Sequence, residues 1–362
     1  MTTIQHLRDL GQSLWLDSIS RPMLDDGRLK RYVTELGVAG LTSNPTIFDE
    51  AISTGAYDQE IARKSGEGKS GEALFTELAL EDLRRAAELF RPTFDATRGV
   101  DGWVSMELSP LLAADTAGSI RAAADIHRMA ATRNLFVKIP GTPEGVPAIE
   151  QSIFDGVPIN VTLLFSPEQY LAAANAYLRG IERRIAAGRS PVVASVASLF
   201  VSRWDKAVED RVPPPQRNQL GIAIAERTYQ VYREIFSTDR WRALAARGAR
   251  PQRLLFASTG TKDPAASPTL YVAAMVAPDT VDTIPLKTLE ALAQLDAEPA
   301  AMSTDPAAGK ESLARFTALG IDLAEVAEKL QRDGAEAFVK SWRGLMERIA
   351  QKGAAVGARL RA

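Results

Sequence analysis

The chain reads as an α/β protein, a (β/α)8 TIM barrel with additional C-terminal helices, and three observations predict this. Eight short apolar, β-branched runs alternate with amphipathic helical stretches, the pattern of parallel strands joined by helical crossovers. Nearly every run carries a polar or charged residue at or just beyond its carboxyl end, where barrel enzymes assemble their sites. No intervening stretch has the composition of a linker between domains.

Taken in order, the strand-like runs are LWLDSI (14–19), VAGLTS (38–43), GWVSMEL (102–108) and LFVKIP (135–140). They continue with PINVTLLF (158–165), PVVASVASLF (191–200), RLLFAS (253–258) and DTVDTI (279–284), the last being the least distinctive. Helical stretches such as EALFTELALEDLRRAAELF and PEQYLAAANAYLRGIERRI lie between them. SGEGKSGE (65–72) reads as a polar loop, and RVPPPQRNQ (211–219) breaks one helical connection. Beyond the eighth unit, residues 305–350 read as two helices, the second long and apolar at helical spacing, so it needs a surface to cover. The expectation is that it lies on the outside of the barrel and that residues 1–362 form one domain.

Composition excludes several function classes. The 362 residues are 46% hydrophobic, enough for a large core. With 43 basic and 45 acidic residues the net charge is -2, so no global basic field attracts nucleic acid or an anionic membrane. The absence of cysteine removes disulfides, thiolate nucleophiles and zinc–thiolate sites. Only His6 and His127 are present, both expected at the surface, so a histidine-based triad or metal site has almost no raw material. The opening segment lacks the apolar run of a signal peptide, and nearly uncharged stretches such as Ser190–Val201 are well short of the roughly 20 residues that span a bilayer. These readings place the chain in the cytoplasm, with no nucleic-acid or membrane partner; a monomer or homodimer is expected, though composition does not choose between them. Its chemistry must come from carboxylates, lysine, hydroxyls or amides.

Such groups recur at the strand ends. Lys138, inside LFVKIP, is the sharpest: a lysine buried in a parallel strand must find partners or give up its charge, and a neutral amine attacks carbonyls. A strand-end lysine that reaches solvent would look the same in sequence. Asp17 and Glu107 are candidates for general acid and base, and equally for helix caps or ion pairs. Asn44, in TSNPT, suits an Asx turn before Pro45 as well as a ligand contact. Asn160 and Thr162 share one face of the fifth strand because side chains repeat every two residues, and Ser198 and Ser258 close the sixth and seventh. Arg203 and Lys262 follow those two strands, where barrels often bind phosphate, although each also reads as a solvated loop cation. Barrel closure would bring all of these groups to one mouth around the lysine.

Those residues sit in segments that together resemble the transaldolases, in particular the longer bacterial form. The segments are WLDSISR (15–21), GLTSNPTIF (40–48), NLFVKIPGTPEG (134–145), INVTLLFS (159–166), SVASLFVSRWD (195–205), FASTGTKDP (256–264) and GIDLAEVAEKLQRDGAEAFVKSW (320–342). The resemblance implies that Lys138 forms a Schiff base, that Asp17 handles the proton of the hydroxyl at the cleaved bond, and that Glu107 and Thr162 position a catalytic water. It implies that Asn44, Asn160 and Ser198 hold the dihydroxyacetone hydroxyls and that Arg203 and Ser258 bind the substrate phosphate. The implied reaction belongs to the pentose phosphate pathway, takes phosphorylated sugars, and requires no metal or organic cofactor. Where shorter transaldolases carry an arginine two residues after the seventh-strand serine, this chain has Gly260, with Lys262 two residues further on as the expected substitute.

Three alternatives remain at this point. A fructose-6-phosphate aldolase-like enzyme shares the barrel and the lysine but typically holds its water with a tyrosine, where this chain has Phe200. A glycoside hydrolase would use Asp17 and Glu107 as its carboxylate pair. A non-catalytic sugar-phosphate-binding barrel would leave Lys138 unreactive.

Overall fold

The computed structural model describes residues 2–359, with side chains described as far as residue 354, so Met1 and residues 360–362 of the expected domain lie outside the described residues. Eight strands form: β1 (Ser13–Asp17), β2 (Gly40–Thr42), β3 (Trp103–Glu107), β4 (Leu135–Pro140), β5 (Ile159–Leu164), β6 (Ser195–Phe200), β7 (Arg253–Ala257) and β8 (Val281–Ile284). All neighbouring pairs are parallel, and β8 pairs with β1, closing the barrel in chain order. Each expected run overlaps one observed strand. The sixth starts four residues later than its apolar run because Pro191 has no N–H and the next two amides turn locally, Val192 N to Ser190 Oγ and Val193 N to the Pro191 carbonyl.

Several of the helices that follow the strands start on capping side chains. Asn44 caps Pro45–Ser53 after β2 and Ser166 caps Pro167–Ala186 after β5, each accepting from the amide three residues on, with proline in the first helical turn. These caps hold the loops at the carboxyl rim of the barrel. Among the described residues, no helix is long and apolar enough to cross a membrane.

Within the barrel, Trp15 of β1, Trp103 of β3 and Phe136 of β4 form a stacked plug, with ring centroids 4.1 Å apart for Trp103–Phe136 and 6.1 Å for Trp15–Phe136. The plug crosses β2 at Gly40, where a Cβ would stand 2.7 Å from the Trp15 ring and 2.8 Å from the Trp103 carbonyl oxygen. One of those atoms belongs to the backbone of a central strand and cannot move cheaply. Gly40→Ala is therefore expected to destabilise the barrel by roughly 1–3 kcal/mol, read as a lower urea midpoint at unchanged slope. An unchanged midpoint would contradict this packing.

The C-terminal region forms two helices, Pro306–Thr317 and Leu323–Arg359, in line with expectation. The placement of the second differs. Instead of lying on the outside of the barrel, it crosses the carboxyl-end rim. Gln331 Nε2 donates to the Gly141 carbonyl after β4 (3.0 Å) and to the Leu163 carbonyl of β5 (2.9 Å), and the Trp342 ring packs edge-on against Phe75 at 5.1 Å. Arg348 pairs with Asp49 on the helix that begins beside Asn44. The histidines also depart from expectation, for both are half-buried: His6 Nε2 lies 3.0 Å from the Pro299 carbonyl, and His127 has its proton affinity lowered by burial.

Candidate active site

Side chains alternate along a strand, so residues two apart on β1, β3 and β4 stack in layers inside the barrel. Asp17 lies two residues beyond Trp15, and Lys138 two beyond Phe136; the aromatic plug is thus the floor beneath a polar layer. Glu107 and Lys138 are register partners on adjacent strands. Lys138 Nζ donates to Glu107 Oε2 at 3.1 Å and to the Ser43 carbonyl at 3.0 Å, with both side chains less than a tenth exposed, 6% for Lys138 and 8% for Glu107. Of the two outcomes open to a buried lysine, this one has found partners.

The partner matters chemically. Burial pushes the Glu107 carboxyl above the usual carboxylate range, against the opposing pull of the Lys138 ammonium and its hydrogen bond. A carboxylate with raised proton affinity, in contact with Nζ, is a place for the ammonium proton to go. The amine must lose that proton before it can attack a carbonyl.

Asp17 ends β1 on the other side of the mouth. Its carboxyl is likewise raised by burial, while Lys138, the hydroxyl of Thr42 and Lys262 pull it back. Thr42 Oγ1 donates to Asp17 Oδ1 at 2.7 Å and also lies 2.7 Å from Thr283 Oγ1. A hydroxyl has one proton; since Thr42 gives its own to the carboxylate, Thr283 must donate to Thr42. The two threonines therefore hold the Asp17 carboxyl in one orientation.

On β5 the register shifts between Val161 and Leu164, and Leu163 takes a left-handed φ of 58°. Thr162 sits in this bulge with its hydroxyl buried and without a hydrogen-bond partner among the described residues. Asn160, the register partner of Lys138, is committed inward: its Nδ2 donates to Ser105 Oγ (3.2 Å) and its Oδ1 accepts from Ser198 Oγ (2.7 Å). Asn44 spends its Oδ1 on the helix cap and lines the mouth, with its amide nitrogen making no hydrogen bond among the described residues.

A narrow cavity of about 180 Å3 brings nine of the eleven expected residues together: Asp17, Asn44, Lys138, Thr162, Ser198, Phe200, Arg203, Ser258 and Lys262 line it. Glu107 and Asn160 lie behind that lining, in contact with Lys138 and Ser198 respectively. A wider cavity of about 700 Å3 shares the Arg203 and Lys262 walls. The Arg203 guanidinium lies over the rings of Phe200 (5.3 Å) and Phe338 (6.0 Å), and neither it nor Lys262 forms an ion pair among the described residues. Burial lowers the proton affinity of both, and the charge of Arg203 lowers that of Lys262 further, so the two cations face one space. Ser258 adopts a left-handed φ of 54°, with its hydroxyl 3.1 Å from Ser202 Oγ.

Gly260 has a spatial reason. A Cβ there would stand 3.0 Å from Pro285 Cγ, so any side chain at this position would press on the proline that caps the helix Leu286–Ala293 and require it to shift by a few tenths of an ångström. Five further lining residues, Thr42, Ala257, Thr283, Pro285 and Phe338, escaped the reading of the sequence. Thr42 and Thr283 were recoverable, since each shares the inward face of its strand; Phe338 carries no local signal, because only the path of the last helix brings it to the mouth.

A buried lysine beside a proton acceptor, at the carboxyl end of a closed barrel and facing two unpaired cations, is the constellation needed by a Schiff-base-forming enzyme of anionic carbonyl substrates. The comparisons agree with that class. The profile of the family described as Transaldolase/Fructose-6-phosphate aldolase matches residues 14–349. The chain is 42% identical to a transaldolase of Thermobifida fusca, covering 97% of this chain and 98% of that protein. It is 41% identical to one of Saccharopolyspora erythraea (97% and 99% covered) and 41% identical to one of Thiobacillus denitrificans (96% and 100%). The chain belongs to the transaldolase/fructose-6-phosphate aldolase family.

Proposed function

We propose that this chain is a transaldolase, a transferase that moves a dihydroxyacetone unit from sedoheptulose 7-phosphate to glyceraldehyde 3-phosphate in the pentose phosphate pathway of the cytoplasm, giving erythrose 4-phosphate and fructose 6-phosphate. The observation that carries the reading is the contact between Lys138 Nζ and Glu107 at the floor of a cavity whose outer wall holds Arg203 and Lys262.

In this reading the proton of Lys138 passes to Glu107, and the free amine adds to the ketose carbonyl. Glu107 and the unpartnered hydroxyl of Thr162 hold the water that carries protons as the carbinolamine loses hydroxide and becomes an iminium. Asp17 then takes the proton of the hydroxyl at the cleaved bond, on the carbon that leaves as the aldehyde. The bond's electrons move into the iminium, an aldose leaves, and a three-carbon enamine stays on Lys138 until a second aldehyde takes it up in the reverse sequence. Asn44 and the Asn160–Ser198 pair hold the hydroxyls of the three-carbon unit, while Arg203, Ser258 and Lys262 hold the phosphate.

The test is a coupled assay with sedoheptulose 7-phosphate, with and without glyceraldehyde 3-phosphate. Product that forms only with the acceptor is expected; equal cleavage without it would point to the aldolase branch of the family. Lys262→Ala is expected to raise KM for the phosphorylated ketose about tenfold or more with a much smaller change in kcat, because the lost contact is made equally before and during the reaction. A drop confined to kcat would remove Lys262 from the phosphate site.

Phe200 bears on the choice between transfer and release. Its ring borders the cavity, 5.4 Å from the Phe165 ring, and offers no hydrogen bond to water near the enamine. Phe200→Tyr adds one hydroxyl at nearly constant volume, and with it a donor to that water. Acceptor-independent release of dihydroxyacetone from fructose 6-phosphate is expected to rise relative to transfer. An unchanged ratio would show that Phe200 does not set the choice.

A further inference from the structure

The amino end of the barrel, opposite the Lys138 mouth, holds a larger cavity of about 760 Å3 that the reaction does not use. It is framed by the start of β1, β6 and β7, the 97–101 loop before β3, and the carboxyl end of the helix Leu220–Ile235. Trp103 and Phe136 form its inner wall, so the aromatic plug divides it from the catalytic layer.

Its cations fall into two kinds. Arg253 is fully engaged: it pairs with Asp101 at 3.0 Å and donates to Ser13 Oγ and the Thr280 carbonyl at 2.6 Å each, sealing the base of the barrel. Arg8, Arg98, Arg233 and Arg250 line the same cavity and form no ion pair among the described residues; Arg8 donates to Gln5 Oε1 and Arg250 to the Arg98 carbonyl through one nitrogen each, leaving their other N–H groups for a ligand. Beside them stand two rings of the helical layer, Phe236 and Trp241, edge to face with centroids 4.9 Å apart. Unpaired guanidinium groups next to aromatic faces suit a ligand with a phosphate at one end and a flat, largely apolar body at the other. A free sugar phosphate fits less well, because its hydroxyls would need many acceptors. The lining offers two carboxylates, Asp101, already taken by Arg253, and Asp279. The volume is that of a small-molecule site rather than of a groove for a polymer.

We infer that this cavity binds a nucleoside phosphate, its phosphate on Arg98, Arg233 and Arg250, its base against Phe236 and Trp241, and a ribose hydroxyl donating to Asp279. The probes are adenosine 5′-monophosphate, adenosine and inorganic phosphate, titrated calorimetrically into three forms of the full chain: wild type, the basal double variant Arg98→Ala/Arg233→Ala, and the mouth double variant Arg203→Ala/Lys262→Ala. The basal substitutions are at exposed side chains outside the catalytic cavity, so this variant is expected to keep the wild-type rate, which also certifies its fold. The nucleotide is expected to bind wild type and the mouth variant alike and the basal variant at least tenfold more weakly. Adenosine and phosphate alone should each bind at least tenfold more weakly than the nucleotide. No nucleotide binding at millimolar concentration, loss of binding in the mouth variant rather than the basal one, or phosphate binding as tightly as the nucleotide would each overturn the assignment. The readout is binding, so it stands or falls separately from the sugar-transfer reaction.

Discussion

Lys138→Met is expected to lower kcat by a factor on the order of 10^4 or more, because it removes the amine proposed as the nucleophile. The fold should survive, since the unbranched thioether fills nearly the same space as the lysine stem and the aromatic plug beneath is untouched. The variant leaves Glu107 buried without its cationic partner, and that has a defined pH dependence. Burial already raises the Glu107 carboxyl, and the ammonium that opposes this shift is gone, so the folded form holds its proton more tightly than the unfolded form does. A group whose folded pKa is raised contributes stability that is complete below the unfolded pKa, near the ordinary carboxylate value, and is lost as pH rises through the folded pKa. The melting temperature of the variant should therefore fall, relative to wild type, as pH rises from the acid side of that window to its alkaline side. A variant equally stable relative to wild type across that range would show that Glu107 does not depend on Lys138. Retained turnover would remove Lys138 from the chemistry.

Asp17→Asn is expected to slow cleavage by about 10^2- to 10^4-fold, the range typical of a lost general base, while still forming the covalent adduct. The amide keeps an oxygen for the Thr42 hydroxyl, so the Thr283–Thr42 chain can still orient the side chain; what it loses is the capacity to take a proton. Burial raises Asp17 and Lys138 and Lys262 pull it back, a balance suited to a group that must accept a proton during cleavage and return it during condensation. Pre-steady-state measurement of adduct formation and of aldose release separates the two steps. If adduct formation slows as much as release, Asp17 acts before the bond breaks and its role is different.

How far the sequence leads depends on whether a feature is local. Strand ends are local: Asp17, Glu107, Lys138 and Thr162 each follow an apolar, β-branched run, and the period of two places them on one inward face before any contact is known. The cap at Asn44 is local as well, because an asparagine before proline signals a helix start, and there it turned out to serve both the cap and the rim of the cavity. The path of the last helix is not local. Its apolar stripe shows that it must cover something, but only the reach of Gln331 to the carbonyls of Gly141 and Leu163 determines that it crosses the mouth and delivers Phe338 to Arg203. The same holds for Gly260, which reads as an absence in the sequence and becomes a tight packing position once Pro285 stands against it. The partner of Lys138 lay between these cases. Glu107 was visible as a strand-end carboxylate, yet its direct pairing with the lysine required the register of β3 against β4.

The most direct test of the account is borohydride reduction of the wild-type chain in the presence of fructose 6-phosphate, followed by mass mapping of the modified peptide. The account predicts irreversible inactivation and a single three-carbon or six-carbon reduced adduct on the peptide containing Lys138, within the segment Asn134–Gly145. An adduct on another lysine, or an enzyme that keeps its activity after reduction, would contradict it.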